Sequence, residues 1–161
     1  MAKGRGREVQ KEIERDQKKL ENHLIVVDTD VVIDFFRDSS PAADVFSKLI
    51  SLKEAAVTVL TVFELYAGIE GTKRLRQIET LIQDLIVLPL DSVEAAAAGR
   101  IYTHLKSRGR LVGTHDILIG AICTTNGLPL YTKNLSHFSG IEGLRLLSSG
   151  EILSSQTDSD G

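Results

Sequence analysis

Leu24-Ile25-Val26-Val27-Asp28-Thr29-Asp30 decides how this chain folds. Leu24–Val27 is a short apolar run rich in β-branched residues, which reads as a buried strand. It stops abruptly on carboxylates. Working outward, the same grammar repeats. Ala55–Val59, Leu85–Leu90, Leu128–Thr132 and Leu144–Leu147 are four further short apolar strands. Between them lie segments with helical periodicity: Pro41–Lys53, Thr61–Ile69, Lys73–Asp84, Ser92–Arg108 and His115–Thr125. Ser40 reads as the cap of the first, with Pro41 at its first position, and Asn126-Gly127 stops the last. Short apolar strands separated by helices predict an α/β fold with a parallel sheet covered on both faces. In such folds the polar chemistry gathers at the carboxyl ends of the strands.

At 161 residues the chain is one ordinary domain with flanking segments. The apolar share of 42% and charged share of 25% are globular, which excludes wholesale disorder. Aromatics make up 5% and Trp is absent, so aliphatics fill the core and a base-stacking surface of aromatic pairs is not expected. The single Cys excludes a disulfide framework or a cysteine-rich zinc site, and Cys123 reads as a small buried hydrophobe. No apolar run approaches the roughly 18 residues of a membrane helix. The basic N-terminus is not followed by a signal-peptide pattern, so the expected compartment is the cytoplasm.

Three regions are expected. Residues 1–22 form a charged extension, helical or frayed, with seven basic and five acidic residues and a thin stripe of Val9, Ile13 and Leu20. Residues 23–148 form the folded body. Residues 149–161 are small and polar and read as a disordered tail. The net charge of −3 argues against non-specific nucleic-acid binding, but the charge is unevenly distributed: the chain beyond residue 22 carries −5.

The acidic residues sit where the fold would concentrate chemistry. Asp28 follows the first strand, with Asp30 and Asp34 in the next turns. Glu64 lies just past the second strand, Asp116 opens an apolar helix, and Asn134 and His137 follow the fourth strand. Carboxylates about 5 Å apart repel by roughly 3 kcal/mol per pair at an effective dielectric near 20. If Asp28, Glu64 and Asp116 meet, some protonate or a cation neutralises them. Oxygen donors without clustered His or Cys favour Mg²⁺ or Mn²⁺ over Zn²⁺, the apparatus of phosphodiester hydrolysis. Each residue also has a local reading. Thr61-x-x-Glu64 is a capping-box pattern, Asp116 complements a helix dipole with Thr114 as cap, Asp28 caps a turn or helix, and Asp30 and Asp34 read as solvated surface carboxylates. Asn134 reads as a turn cap and His137 as a packing residue beside Phe138. The joint placement at strand ends is what favours a site.

At these residues the chain resembles the PIN-domain family, and within it the small VapC-like toxin ribonucleases of toxin–antitoxin pairs. The resemblance lies in Ile25-Val26-Val27-Asp28-Thr29-Asp30, Thr61-Val62-Phe63-Glu64-Leu65, Asp116-Ile117-Leu118-Ile119-Gly120-Ala121, and Thr132-x-Asn134-x-x-His137-Phe138 followed by Gly143-Leu144-Arg145-Leu146. It covers about residues 24–148, in order. It implies a three-layer α/β/α sandwich on a five-stranded parallel sheet, Mg²⁺ or Mn²⁺ at the acids, endoribonuclease activity, a cognate antitoxin and a homodimer. Asp28, Glu64 and Asp116 stand at the family's acidic triad. On that scheme Asp28 and Asp116 are direct metal ligands, Glu64 is a ligand or a water-orienting base, and Asn134 hydrogen-bonds water or the substrate phosphate. Many relatives carry a fourth acid where this chain has Asn134 and His137. Whether Asn134, His137 or Asp30 completes the site is left open by the sequence. Lys133, Arg37, Arg108 and Arg110 read as plain surface charge or, where they border the cleft, as RNA guides.

Two rival readings share the residues. Val26-Val27-Asp28-Thr29-Asp30 also resembles the start of haloacid-dehalogenase-like phosphatases, with Asp28 as nucleophile, Asp30 as acid/base and Lys133 as the downstream lysine. No fitting acidic pair follows, and Glu64 and Asp116 would have no role. A non-catalytic PIN-like binding module is the other rival, and the intact triad argues against it.

Overall fold

A computed structural model of the chain describes residues 7–15 and 23–157. Residues 7–15 form an exposed helix, α1, with Val9 and Ile13 in solvent; Leu20 lies outside the described residues. The body follows as β1 (Ile25–Val27), α2 (Thr29–Phe36), α3 (Ala42–Ser51), β2 (Ala55–Thr58), α4 (Val59–Ala67), α5 (Thr72–Gln83) and β3 (Ile86–Leu88). It continues with α6 (Ser92–Ser107), α7 (Thr114–Asn126), β4 (Leu130–Tyr131), α8 (Leu135–Phe138), β5 (Leu146–Leu147) and α9 (Ser149–Thr157).

The five strands form one parallel sheet in the order β3-β2-β1-β4-β5. β1 is central, so the chain reverses winding direction there. Alternation along the strands sorts the core into two layers. Val27, Val57 and Tyr131 face one side, where they pack with α2, α3, α5 and α9 through Val31, Phe46, Leu49, Ile78 and Ile152. Val26, Ala56 and Leu130 face the other, against α6, α7 and α8 through Leu105, Ile119, Ile122 and Phe138. The predicted three-layer α/β/α sandwich is the observed architecture. Because β1 is buried on both faces, its residues cannot be polar until the strand ends, and Asp28 is where it ends.

Several local expectations change. The 149–161 tail was read as disordered on its Ser-rich composition. Residues 149–157 instead form α9, anchored by Ile152, which is 3% exposed, and residues 158–161 lie outside the described residues. Ser148 caps it, its hydroxyl and backbone N–H both donating to Glu151. The Thr61–Glu64 capping box does not form, because β2 ends sooner and Thr58 caps α4, accepting from Thr61 N at 3.2 Å. Ser40 does not cap α3: Pro41 holds the cap position and the Ser40 hydroxyl donates to Asp44. Thr114 is the first residue of α7, and Gly113 is its cap. Gly127 ends α7 at φ 65°, in the left-handed region the Asn126-Gly127 signal anticipates. Cys123 is fully buried, and burial pushes its thiol up to about 12, consistent with a core residue.

Candidate active site

Asp28 is both the end of the central strand and the cap of α2. Its Oδ1 accepts from Thr29 N at 2.8 Å and its Oδ2 from the Thr132 hydroxyl at 2.8 Å, so β1 and the exit of β4 hold the carboxylate between them. The side chain is buried, and its acidity reflects that. Desolvation first, then the charge of Asp30, raises its pKa from 3.8 to about 6; Asp116 pushes the same way, and the bonds from Thr132 and Thr29 oppose. Asp28 and Asp116 therefore lie within electrostatic reach.

Glu64 projects from the second turn of α4. Its Oε2 is hydrogen-bonded by the Thr29 hydroxyl, with the Thr61 hydroxyl 3.2 Å from that of Thr29. Its Oε1 lies 3.0 Å from His115 Nδ1. His115 is half-exposed and meets the Phe63 ring edge-on. Asp116, the next residue on α7, has its Oδ2 3.1 Å from His137 Nδ1 on α8. Thr29 thus connects Asp28 to Glu64, and the first turn of α7 places His115 against Glu64 while Asp116 reaches toward α8. Asn134 caps α8 from the loop after β4; its backbone N–H donates to the Thr132 hydroxyl at 3.0 Å, and its exposed side chain makes no cap bond. Among the described residues, no group of three or more His, Cys, Asp or Glu side chains is gathered closely enough to hold a metal ion as they stand. The candidates share one edge of the sheet, with Glu64 and Asp116 each turned toward a histidine.

Asp30 and Asp34 are not the solvated carboxylates that the sequence suggests. Asp30 Oδ2 accepts from Lys133 N at 3.0 Å, while its Oδ1 is buried with no hydrogen-bond partner. Burial raises its pKa as well. Asp34 is 9% exposed and bonds the Lys133 ammonium. That pair corrects the expectation that Lys133 is free to guide RNA: its charge is committed to Asp34. Sequence reasoning missed Thr29, Thr132 and His115. Thr132 carried a signal, since a hydroxyl at the end of an apolar strand needs a partner.

The donors are of the chemical type a hard divalent cation takes. Asp28, Glu64 and Asp116 offer oxygen, and Asp30 Oδ1 is an orphaned buried acceptor, while burial first and the charge of Asp30 second raise the pKa of Asp28.

Residues 25–142 match the PIN domain family. Ribonuclease VapC1 of Methanocaldococcus jannaschii is 28% identical over 143 residues, covering 87% of this chain and 95% of the relative. The tRNA(fMet)-specific endonuclease VapC of Salmonella typhimurium is 32% identical over 94 residues, covering 56% of this chain and 71% of its own. Among solved structures, one chain of DNA-bound VapBC from Salmonella typhimurium superposes with a TM-score of 0.69 at 25% identity, over 78% of this chain and 98% of that one. A strand that ends in Asp28, a helix that presents Glu64, a helix with Asp116 in its first turn and a match over most of the body lead to one conclusion: the chain belongs to the PIN-domain family, on its VapC branch.

Proposed function

We propose that this protein is a metal-dependent endoribonuclease, the toxin of a type II toxin–antitoxin pair, and that Asp28, Glu64, Asp116 and Asn134 form its active site. The observation that carries the reading is the Asp28–Thr29–Glu64 link at the carboxyl edge of the sheet. The M. jannaschii relative is named a ribonuclease and the Salmonella relative a tRNA-specific endonuclease, so RNA is the proposed substrate class. The Salmonella structure pairs VapC with VapB, which supports a cognate antitoxin here. A homodimer and a cytoplasmic site of action complete the reading. Among the described residues no helix is long and apolar enough to cross a membrane.

Asp28, Asp116 and Glu64 would hold Mg²⁺ or Mn²⁺, which would supply charge neutralisation and Lewis acidity toward the phosphodiester. The chain's own groups do the rest. Thr132 and Thr29 fix both oxygens of Asp28. Glu64, held by Thr29 and His115, orients a water and accepts its proton at a carboxylate oxygen. Asn134 donates from its side-chain amide to a non-bridging phosphate oxygen. The phosphatase alternative is less well supported. It needs Asp30 beside Asp28 as a free acid/base, but Asp30 Oδ2 is held by the Lys133 backbone, and the required lysine is held by Asp34.

The test is cleavage of a mixed single-stranded RNA by the purified chain with Mn²⁺, Mg²⁺ or EDTA. Metal-dependent endonucleolytic cutting, lost in both Asp28→Asn and Asp116→Asn, supports the reading. Cutting that survives both substitutions comes from a contaminant and defeats it. A phosphoaspartate trapped at Asp28 would replace it with the phosphatase reading.

A further inference from the structure

A cavity of about 440 Å³ opens beside the acidic edge, between α2, α4 and α5, with Glu64 in its lining. That volume lies in the range of small-molecule sites, about 300–1,000 Å³. Two arginines line it. Arg37 ends α2, and Arg74 lies in the first turn of α5 with its guanidinium 4.7 Å from the centre of the Phe36 ring. Arg74 Nη1 is buried and has no hydrogen-bond acceptor. A covered guanidinium N–H without an acceptor is unfavourable, and an anion reaching the same fork removes the deficit. Phe36 and Leu65 give the cavity an apolar wall. Glu64 and Glu70 share the lining, so the cavity is no general anion trap; an anion fits only where it meets the guanidiniums.

We propose that this cavity is a nucleotide subsite for the RNA flanking the scissile bond, with Arg74 and Arg37 binding a neighbouring phosphate and the Phe36–Leu65 wall taking the sugar or base. The inference rests on the endoribonuclease reading and deepens it. RNA is favoured because Glu64 belongs to both the cavity and the acidic edge, so a ligand in one is presented to the other. The body carries a net −5, and Lys133 is neutralised by Asp34. A polyanion therefore needs cations close to the acids, and the arginines of this cavity supply them.

The experiment compares the full wild-type chain with Arg74→Gln, Arg74→Lys and Arg37→Gln. Equilibrium binding of a fluorescent 12-nucleotide single-stranded RNA is measured in EDTA across a salt series, and KM and kcat are measured with Mn²⁺. Melting temperatures identify any variant that misfolds, and Arg37→Gln, at an exposed helix end, keeps the test valid if Arg74→Gln does. The expected result is an about tenfold weaker Kd for Arg74→Gln, with a salt slope shallower by about one. KM should rise while kcat stays within about twofold, and Arg74→Lys should recover part of the loss. Folded variants that bind RNA like the wild type overturn the subsite. So does weakened capture of the cognate antitoxin with unchanged RNA binding, which assigns the cavity to the protein partner. A wild-type chain that neither binds nor cuts RNA sinks the nuclease reading itself, whereas one that cuts while all the variants match it sinks the subsite alone.

Discussion

The Thr29 hydroxyl is hydrogen-bonded to the carboxylate of Glu64, a residue 35 positions further along the chain. Since the Thr29 N–H also holds Asp28, one small residue sets the spacing of two candidate catalytic acids. Thr29→Val keeps the shape and removes the bond to Glu64. We expect kcat on RNA to fall about tenfold, the scale of a lost positioning bond in a proton-transfer site, with a near-native melting temperature. Thr29→Ser should restore most of the rate. A rate unchanged in the valine variant would show that Glu64 needs no such anchor.

The metal-free protein should be penalised at neutral pH by its own acids. The Asp28 carboxyl titrates near 6 when folded and near 3.8 when unfolded. Below pH 3.8 both states are protonated and the group contributes nothing. Between these values the folded state holds the extra proton, so stability falls as pH rises. Above pH 6 the full cost stands, about 3 kcal/mol. Asp28→Asn keeps the helix cap and should raise metal-free stability by about 2–3 kcal/mol at pH 7.5, but by less than about 1 kcal/mol at pH 4. Denaturant melts at the two pH values check this. Equal gains at both would contradict the burial of a charged Asp28.

Lys133 and Asp34 supply a structural prediction. Asp34 is buried and Lys133 half-exposed, so Lys133→Met leaves a covered carboxylate without its charged partner. The expected loss is about 1–3 kcal/mol in urea unfolding. Restoration by Lys133→Arg would confirm that the charge, not the aliphatic stem, matters.

Much of this was legible before the structure. The strand that ends in Asp28 could be read because a strand buried on both faces forces a continuous apolar run, and the first polar residue must mark its edge. The parallel sheet covered on both faces followed from strand–helix alternation; the order β3-β2-β1-β4-β5 did not, because alternation is the same for any winding. Thr61 was misread because its spacing to Glu64 is a cap pattern, while the strand boundary that decides the cap sits at Thr58. Residues 149–157 were misread because their Ser-rich composition hides one anchoring side chain, Ile152, that tertiary packing alone can reveal. His115 and Thr29 were invisible as site residues because their roles depend on neighbours 51 and 35 residues away.

Helix α9 gives a test of that correction. Ile152 fills the layer containing Phe46 and Leu49. Ile152→Ala should cost about 2–4 kcal/mol by leaving a cavity. A thermal melt indistinguishable from wild type would mean that residues 149–157 do not dock.

The central claim is that Asp28, Glu64 and Asp116 act together on one divalent ion. Calorimetric titration of Mn²⁺ into the metal-free chain addresses it directly. One dominant binding event is expected, weakened at least about tenfold in each of Asp28→Asn and Asp116→Asn and to a smaller degree in Glu64→Gln. Wild-type affinity retained in all three variants would contradict it.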